Sequence, residues 1–407
     1  MMLKPALRPP LRVPVRGTNA PREGVGGYRA LAQKLLARRA ATPYGGNMPS
    51  PATVTVGASD ANSTVATGRS VYTPATLPDS ADITRVSGNN PVSASGNWTQ
   101  RYINTDAGSS LGPSRGNGWR FTLPATATMF DVCCRNLSSD STFRVRINGL
   151  WVQTADFTTA PTTDGGHFYY TKFSGLSPGD LVELYVGAGA QIRGFNVGTG
   201  AAAALTPLPA PEADPINVLV YGDSYPYGSG PASCRGAWPH KLAERWGIPN
   251  LVNSGAPATG LIANAGGASK TFINRIADVT RVYTPDIILV PGSLNDNGQG
   301  ASNVQTAATT FLTALGAAAP NALIAWFGIE HSPSNNPSSA YDAAVAAGFA
   351  AAGLGGRAKF FPTLDGTYQD SADSSLYAAD TTHMSDAGTA RYVTAADADF
   401  AAWLATL

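Results

Sequence analysis

Hydrophobic and polar positions follow two different periods along this 407-residue chain, and the change falls near residue 215. Before it, between residues 98 and 200, apolar side chains alternate with polar ones, as in the run from Phe143 to Ile147. Asn148-Gly149 follows that run directly and is a favoured pair for a two-residue hairpin turn. Alternation without a helical pattern predicts antiparallel strands with one buried face. We therefore predict an all-β sandwich of jelly-roll type over 98–200.

After residue 215, short apolar runs alternate with helical patterns. The runs cover 216–220, 251–253, 286–290 and 322–329. A strand that is apolar at nearly every position is buried on both faces, which is typical of a parallel sheet. The segments with helical spacing are 238–246, 304–315, 340–352 and 386–404, the last with Ser385 as its expected N-cap. This order predicts an α/β domain over 215–407, with helices on both faces of the sheet.

The remaining segments have weaker patterns. Residues 1–47 form a basic, Pro- and Arg-rich leader in which Tyr28, Leu31 and Leu35 have the spacing of a short helix. Residues 48–97 are rich in Ser, Thr and Gly and are expected to be partly β, and 201–214 resemble a linker stiffened by proline. The chain is thus divided into a leader, an irregular segment, a β-sandwich, a linker and an α/β domain.

Charge is distributed unevenly along the chain. The net charge is +1, but residues 1–41 hold nine Lys or Arg and one acid, so the rest of the chain carries −7. An acidic folded body argues against a nucleic-acid enzyme. For the basic leader two interpretations stay open: a solvated helical extension, or a segment that docks into a larger assembly, such as a virion, or onto an anionic surface.

Cysteines and apolar stretches limit the other possibilities. Cys133 and Cys134 are adjacent and cannot readily bridge each other, and with Cys234 the count is odd, so we expect small buried side chains and infer no redox compartment. Because no stretch approaches 18 apolar residues, no membrane span is predicted. Prolines interrupt the basic N-terminal stretch, so a standard signal peptide is not predicted either.

Candidate chemistry begins at Ser224, which follows the first strand of the α/β domain. In open α/β sheets, ligands bind beyond the carboxyl ends of the strands. A serine hydroxyl needs a base within hydrogen-bond reach, and that base needs an orienting acid. Of the three histidines in this domain, His383 has an acid at a short spacing, Asp380, just before the last helix. His240 and His331 have no comparable neighbour that marks them as the base.

A serine nucleophile also needs donors for the oxyanion. Asn295 follows the buried strand 286–290, and its side-chain amide is a donor. Gly255 ends another short strand, where a glycine permits close approach of a backbone N–H. With the amide of Ser224, these positions supply three expected donors.

Four blocks of residues now form a pattern. They are, in chain order, Gly222-Asp223-Ser224, Gly255, Asn295-Asp296 and Asp380-Thr381-Thr382-His383. The set resembles the SGNH (GDSL) hydrolases and covers 215–407. The resemblance implies a flavodoxin-like three-layer fold, no metal or other cofactor, and ester bonds as the bonds cleaved. It implies Ser224 as nucleophile, His383 as base, Asp380 as its partner, and Gly255 and Asn295 as oxyanion donors. One departure is Ser293, which stands where the family pattern has a glycine.

The resemblance also suggests a substrate. A β-sandwich ahead of such a domain is similar to two-domain carbohydrate esterases and to bacteriophage surface proteins that deacetylate glycans. We therefore expect an extracellular or virion-associated serine esterase that removes O-acetyl groups from a polysaccharide. Tyr225, Tyr227 and His331 are expected to line its cleft, with a structural role as the alternative for His331. Two other functions stay open: a lipase or thioesterase, and a non-catalytic glycan-binding or structural virion module.

Aromatic residues of the sandwich bear on glycan binding. Trp119, Trp151, Tyr169 and Tyr170 are either stacking faces for sugars or parts of the core.

Overall fold

The computed structural model describes residues 25–41, 47–48, 52–56, 70–72, 84–87, 92–95, 98–101, 117–123, 125, 127–135, 142–158, 168–186, 191–198, 216–233, 235–248, 250–264, 271–280, 284–334 and 339–407. The predictions made for residues 1–24, most of 48–97, the linker 201–214 and Cys234 lie outside this set. The same holds for the side chains of Trp119, Cys133 and Cys134.

The N-terminal half contains one helix and thirteen short strands among the described residues. They are α1 (Val25–Ala41), β1 (Thr53–Val56), β2 (Ser70–Tyr72), β3 (Thr84–Ser87), β4 (Val92–Ser95), β5 (Trp98–Arg101), β6 (Asn117–Thr122), β7 (Met129–Arg135), β8 (Thr142–Ile147), β9 (Leu150–Trp151), β10 (Phe157–Thr158), β11 (Phe168–Ser174), β12 (Leu181–Val186) and β13 (Gln191–Gly198). The strands pair antiparallel in two sheets, β10-β8-β12-β6-β3 and β1-β11-β7-β13-β5-β4. Because several connections lie outside the described residues, the jelly-roll sandwich over 98–200 stays a prediction.

The two antiparallel sheets contact each other through buried aromatic rings. Phe121 of β6 meets Phe130 of β7 edge-on at 5.6 Å, and Phe143 of β8 meets Phe173 of β11 at 6.4 Å. Trp151 and Tyr169 are also buried. These two predicted stacking faces are therefore core residues and are not available to a sugar.

The C-terminal half has the predicted alternation of strands and helices. Its elements are β14 (Asn217–Gly222), α2 (Ser224–Tyr227), α3 (Trp238–Arg245), β15 (Asn250–Gly255), β16 (Ile287–Gly292), α4 (Ala301–Ala318), β17 (Leu323–Ile329), α5 (Ser339–Ala351), β18 (Ala358–Phe361) and α6 (Asp386–Leu404). All strands of this sheet are parallel, in the order β15-β14-β16-β17-β18. This is the flavodoxin-like order 2-1-3-4-5, which places a switch point between β14 and β16.

Both faces of the parallel sheet are covered, which explains the continuous apolar runs. On β17, Trp326 packs on Phe311 of α4, whereas the next residue, Phe327, packs on Trp238 of α3 and Tyr392 of α6. Successive strand residues point to opposite faces, so helices lie on both. Ser385 caps α6 as expected, because its Oγ accepts from the Gly388 amide.

Helix α1 is not a solvated extension, contrary to the first interpretation of the leader. Leu31 and Leu35 are buried in the same hydrophobic core as the parallel sheet. The Arg39 guanidinium forms two hydrogen bonds with the Asp397 carboxylate of α6, at 2.8 and 3.0 Å. The apolar spacing that predicts the helix therefore serves packing against the α/β domain. None of the helices in the described part of the chain has the length and hydropathy needed to cross a membrane.

Candidate active site

Ser224 lies where β14 ends and α2 begins. Asp223 caps this short helix, since its Oδ1 accepts from the Tyr225 amide at 3.0 Å. Ser224 is therefore the first helical residue, and its own N–H is one of the amides that a helix start leaves without an intrahelical acceptor. The residue is 8% exposed, so a small part of it reaches solvent.

His383 and Asp380 complete a chain of hydrogen bonds from Ser224. The Ser224 Oγ lies 2.8 Å from His383 Nε2, and His383 Nδ1 lies 2.6 Å from Asp380 Oδ2. The other carboxylate oxygen, Oδ1, accepts from the amides of Thr382 and His383 at 2.9 and 3.0 Å. The D-x-x-H spacing thus forms a turn in which one carboxylate both holds the backbone and orients the ring.

The turn that carries His383 is fixed from two sides. The Tyr225 hydroxyl donates to the Thr382 carbonyl at 2.6 Å, and its ring centroid lies 5.4 Å from that of His383. Ala378 donates from its amide to the His383 carbonyl at 2.7 Å. Thr381 has a φ of 55°, the left-handed conformation that closes the turn.

Two aspartates next to the site differ in the direction of their pKa shifts. Burial raises the pKa of the Asp223 carboxyl to about 7, although hydrogen bonds from Tyr225 and Ser293 oppose this. Burial also raises the pKa of Asp380, but the hydrogen bonds from His383 and Thr382 outweigh it, so this pKa is below its usual value. Asp380 therefore stays ionised and favours a proton on His383 Nδ1.

Asn295 lies beside Asp223, the residue before Ser224, after the end of β16. Its Nδ2 donates to the Thr259 carbonyl at 3.0 Å and to Asp223 Oδ2 at 3.3 Å. Ser293, the residue that departs from the family pattern, caps the turn by accepting from the Asn295 amide and also donates to Thr259. The serine therefore holds the turn that presents Asn295.

Gly255, expected from the sequence as an oxyanion donor, has its amide engaged inside the protein, because it donates to Asn253 Oδ1 at 2.9 Å. A Cβ at this position would lie 2.5 Å from the Tyr227 nitrogen and 2.9 Å from the Asp223 carbonyl oxygen. The glycine is therefore required because α2 and its cap pack directly against the end of β15.

The loop after Gly255 contains an amide that sequence reasoning missed. Ala256 donates to the Gly222 carbonyl at 3.0 Å, and Thr259 accepts from Asn295, so the loop lies between the two other blocks of the site. Within this loop Ala258 is exposed and has a φ of 57°, and its amide donates to no described residue. The sequence of the loop does not indicate this backbone conformation, because alanine rarely adopts a positive φ.

Two charged residues that support the loops were also missed. Buried Arg275 donates to the Gly222 carbonyl at 2.9 Å and to the Ser254 carbonyl. The Asp296 carboxylate accepts from the amides of Leu261, Ile262 and Ala263 at 2.7, 2.9 and 2.7 Å. Asp296 directly follows Asn295, so the sequence at least places it near the site. No residue pattern around Arg275 indicates its contacts.

The three residues expected to line the cleft lie in different environments. Tyr225 is 3% exposed and is hydrogen-bonded to the Thr382 carbonyl, so it supports the turn that carries His383 and has little contact with solvent. Tyr227 is half-buried at the end of α2. His331 is buried, with its Nε2 3.1 Å from the Gln369 carbonyl and its amide donating to the Gln369 side chain. Its position agrees with the structural alternative.

Comparison with known proteins relates this geometry to a family. Residues 220–391, which contain all four sequence blocks, match the GDSL-like Lipase/Acylhydrolase family. No curated protein sequence matches the chain.

Several solved structures are similar in fold at low sequence identity. A family two carbohydrate esterase from Clostridium thermocellum, in complex with cellohexaose, is 14% identical with a TM-score of 0.57, covering 80% of this chain and 100% of its own. A salicylyl-acyltransferase from a tetracycline biosynthetic pathway is 16% identical with a TM-score of 0.62, covering 83% and 98%. An acetyl xylan esterase from the rumen bacterium Butyrivibrio proteoclasticus is 12% identical with a TM-score of 0.54, covering 82% and 99%. At these identities the likeness establishes the fold.

Proposed function

From the match of residues 220–391 to the GDSL-like Lipase/Acylhydrolase family, we propose that the protein is a serine esterase that removes O-acetyl or other short acyl groups from a polysaccharide. The observation that carries the proposal is the hydrogen-bond chain Ser224–His383–Asp380, with separations of 2.8 and 2.6 Å. These separations are those of a nucleophile, its base and an orienting acid. Extracellular or virion-associated delivery, as inferred from the sequence, is part of the proposal.

The proposed reaction is a two-step acyl transfer. His383 Nε2 takes the Ser224 proton as Oγ attacks the ester carbonyl, and the resulting imidazolium is stabilised by ionised Asp380. Collapse of the tetrahedral intermediate releases the alcohol, which receives the proton from His383, and leaves an acetyl-serine. Water then attacks this ester with His383 again as base, releasing acetate and restoring Ser224.

Three donors are proposed for the oxyanion. The first is the backbone N–H of Ser224, at the start of α2. The second is the side-chain Nδ2 of Asn295, which donates to Asp223 over 3.3 Å, a long contact that a substrate oxygen can replace. As the third donor we propose the Ala258 amide in place of that of Gly255, because the Ala258 amide donates to no described residue whereas the Gly255 amide is bonded to Asn253. Each such donor contributes on the order of 10² to 10³ in rate.

The rim beside His383 favours a polar substrate. Ser334 is exposed, and its hydroxyl oxygen lies 2.7 Å from that of Thr382, the residue before His383. Hydroxyls at the rim suit hydrogen bonding to sugar hydroxyls, whereas a long acyl chain needs apolar walls. This polarity is the reason for preferring a glycan ester over the lipase or thioesterase alternative.

Exposure of the site favours water as the second acceptor. One structural neighbour is an acyltransferase, so transfer to another alcohol is the competing reaction to consider. Transfer requires that water be kept from the acyl-enzyme. Here the Asp380 side chain is 50% exposed and that of His383 is 20% exposed, so water reaches the base directly. We therefore propose hydrolysis as the main reaction.

The test is acetate release by the full chain from acetylated xylan, acetylated capsular polysaccharide and O-acetylated peptidoglycan, with Ser224→Ala as the control. Release from at least one substrate by the wild type and from none by Ser224→Ala supports the proposal. Tight glycan binding without turnover would instead establish the non-catalytic binding module. Faster turnover of long-chain than of acetyl p-nitrophenyl esters would establish the lipase alternative.

A further inference from the structure

Beneath the nucleophile, one buried side chain joins the two elements that form the oxyanion side of the site. Asn253, near the end of β15, is fully buried. Its Oδ1 accepts from the Gly255 amide at 2.9 Å, and its Nδ2 donates to the Pro226 carbonyl of α2. Pro226 lies two residues after the nucleophile. The carboxamide of Asn253 therefore sets the distance between the helix that carries Ser224 and the loop that follows Gly255.

A second buried side chain lies behind Asn253. His240 of α3 is fully buried, and its Nε2 is 3.4 Å from Asn253 Nδ2. Its other ring nitrogen, Nδ1, lies 2.8 Å from Nη1 of the Arg235 guanidinium. A guanidinium only donates, so Nδ1 must be the accepting nitrogen of this ring and Nε2 carries the ring proton. Nε2 and Asn253 Nδ2 are then both donors, so the ring supports the Asn253 side chain by packing against it at 3.4 Å and not by a hydrogen bond. Such a ring does not serve as a proton carrier, because a second ring proton would face the Arg235 cation.

The contacts continue from Arg235 into the antiparallel sheets. Glu244 of α3 lies 3.4 Å from Arg235 Nε and 3.0 Å from Nη2 of Arg146, which belongs to β8. Arg146 also faces Glu183 of β12 at 3.5 Å. All of these side chains are almost completely buried. Burial raises the pKa of Glu244, but Arg146 and Arg235 outweigh it, so the pKa is lowered and the carboxylate stays ionised.

Resting on the function proposed above, we propose that Asn253 and His240 are positioning residues for the oxyanion side of the active site, and that Arg146 of the antiparallel sheets holds them in place through Glu244 and Arg235. The antiparallel part of the chain is then a structural component of the catalytic centre as well as a neighbouring unit.

The physical reason is geometric. Donors stabilise an oxyanion only within a narrow range of distance, and a displacement of about 1 Å can cost on the order of 10² in rate. The α2 helix has only four residues and little stiffness of its own. A fully buried carboxamide bonded at both ends is an effective spacer, because no water is present to exchange with its hydrogen bonds.

The first experiment replaces Asn253 with Ala in the full chain. We expect kcat for p-nitrophenyl acetate to fall about 10- to 100-fold per active site, with KM within about twofold. Active sites are counted by labelling Ser224 to completion with a fluorophosphonate, so that loss of folded protein is not scored as loss of rate. The affinity for a boronic acid, which forms a tetrahedral adduct on Ser224, should fall by the same factor as kcat/KM.

A matched pair of arginines tests the role of the antiparallel sheets. Arg144 and Arg146 lie on the same strand, both are buried, and both guanidiniums lie over the Trp151 ring, at 4.0 and 4.2 Å. Arg144 contacts Ser233 and Asp156, and it lowers the pKa of the Glu244 carboxyl less than Arg146 does. Both variants, Arg146→Met and Arg144→Met, lose a buried cation, but Arg146→Met removes the guanidinium that lies 3.0 Å from the Glu244 carboxylate. Arg144→Met instead removes a contact with Ser233, which bonds the Arg235 backbone and not its guanidinium. We expect about a tenfold loss of kcat per active site in Arg146→Met and less than twofold in Arg144→Met.

The outcomes separate the two proposals. Equal kcat per active site in Arg146→Met and Arg144→Met, or unchanged boronic-acid affinity in Asn253→Ala, would overturn the positioning role. His240→Gln, which keeps an acceptor for Arg235, should recover most of the activity that His240→Ala loses. A wild type without activity on any ester would overturn the esterase proposal, and boronic-acid affinity would still decide between the variants.

Discussion

Ser224 lies between two polar regions that differ sharply in their access to water. On one side, the His383–Asp380 turn is open, with Asp380 half-exposed. On the other side, Asp223, Asn253 and His240 are completely buried. Both regions consist of the same residue types, histidine with a carboxylate or carboxamide. They differ in what each histidine meets: a carboxylate at His383 Nδ1, and a guanidinium at His240 Nδ1.

This difference separates proton transfer from positioning. A histidine that faces a carboxylate and solvent can accept a proton and release it again. A histidine that faces a guanidinium in the interior is held to one hydrogen-bonding pattern, which makes it suitable as a spacer. The open region is therefore expected to govern the chemical step, and the buried region to govern geometry and stability.

The largest effect is expected from removing the base. His383→Ala should lower kcat for p-nitrophenyl acetate by about 10⁵-fold, because in the proposed mechanism Ser224 loses the group that takes its proton. His240→Ala should cost about tenfold, because it only loosens Asn253. Steady-state kinetics measures both, with rates given per mole of folded protein because Ser224 without its base does not react with a fluorophosphonate. Comparable losses in the two variants would contradict the division between an open and a buried region.

The next effect concerns the orienting acid. Asp380→Asn should lower kcat by roughly 10³- to 10⁴-fold, because an amide that donates to Nδ1 leaves Nε2 with the proton and unable to act as base. Among the described residues, the hydrogen-bond partner of His383 Nδ1 is Asp380 Oδ2, and no backbone carbonyl bonds this nitrogen. The pH dependence of kcat/KM measures the change of base, and a loss below tenfold would contradict the assignment.

A third prediction uses stability in place of rate. The pKa of Asp223 is about 7 in the folded protein and about 3.9 when unfolded, so the folded state holds a proton that the unfolded state releases between these values. Stability should therefore fall as the pH rises through this window. Between pH 5 and pH 8 the wild type should lose about 2 to 3 kcal/mol more than Asp223→Asn. Urea unfolding at both pH values measures this, and equal losses would show that Asp223 is ionised throughout.

The smallest effect is expected at Tyr225. Tyr225→Phe loses the 2.6 Å hydrogen bond to the Thr382 carbonyl, worth about 1 kcal/mol, so kcat should fall about fivefold. KM for acetyl and butyryl esters should not change, because the ring is 3% exposed. A shift in KM larger than the shift in kcat would restore Tyr225 to the cleft-lining role expected from the sequence.

Much of the α/β domain can be derived from the sequence, because the relevant signals are local. Continuous apolar runs indicate strands buried on both faces, and Trp326 and Phe327 show why alternation is absent there. Parallel strands end at one edge of a sheet, so Ser224 and Asn295 must meet there. The D-x-x-H spacing places Asp380 beside His383 within a single turn. These relations depend on chain direction and on spacings of a few residues.

The rest depends on contacts between distant residues, which leave no local pattern. Helical spacing predicts α1, but its burial depends on a surface formed more than 300 residues later, where Asp397 pairs with Arg39. The glycine at the end of β15 is apparent from the sequence, whereas the occupation of its amide by Asn253 depends on how close α2 comes. Arg146 and Glu244 meet only when the two halves of the chain pack together. A local spacing specifies the direction and period of the backbone, but the burial of a charge and the identity of its partner are properties of the assembled interior.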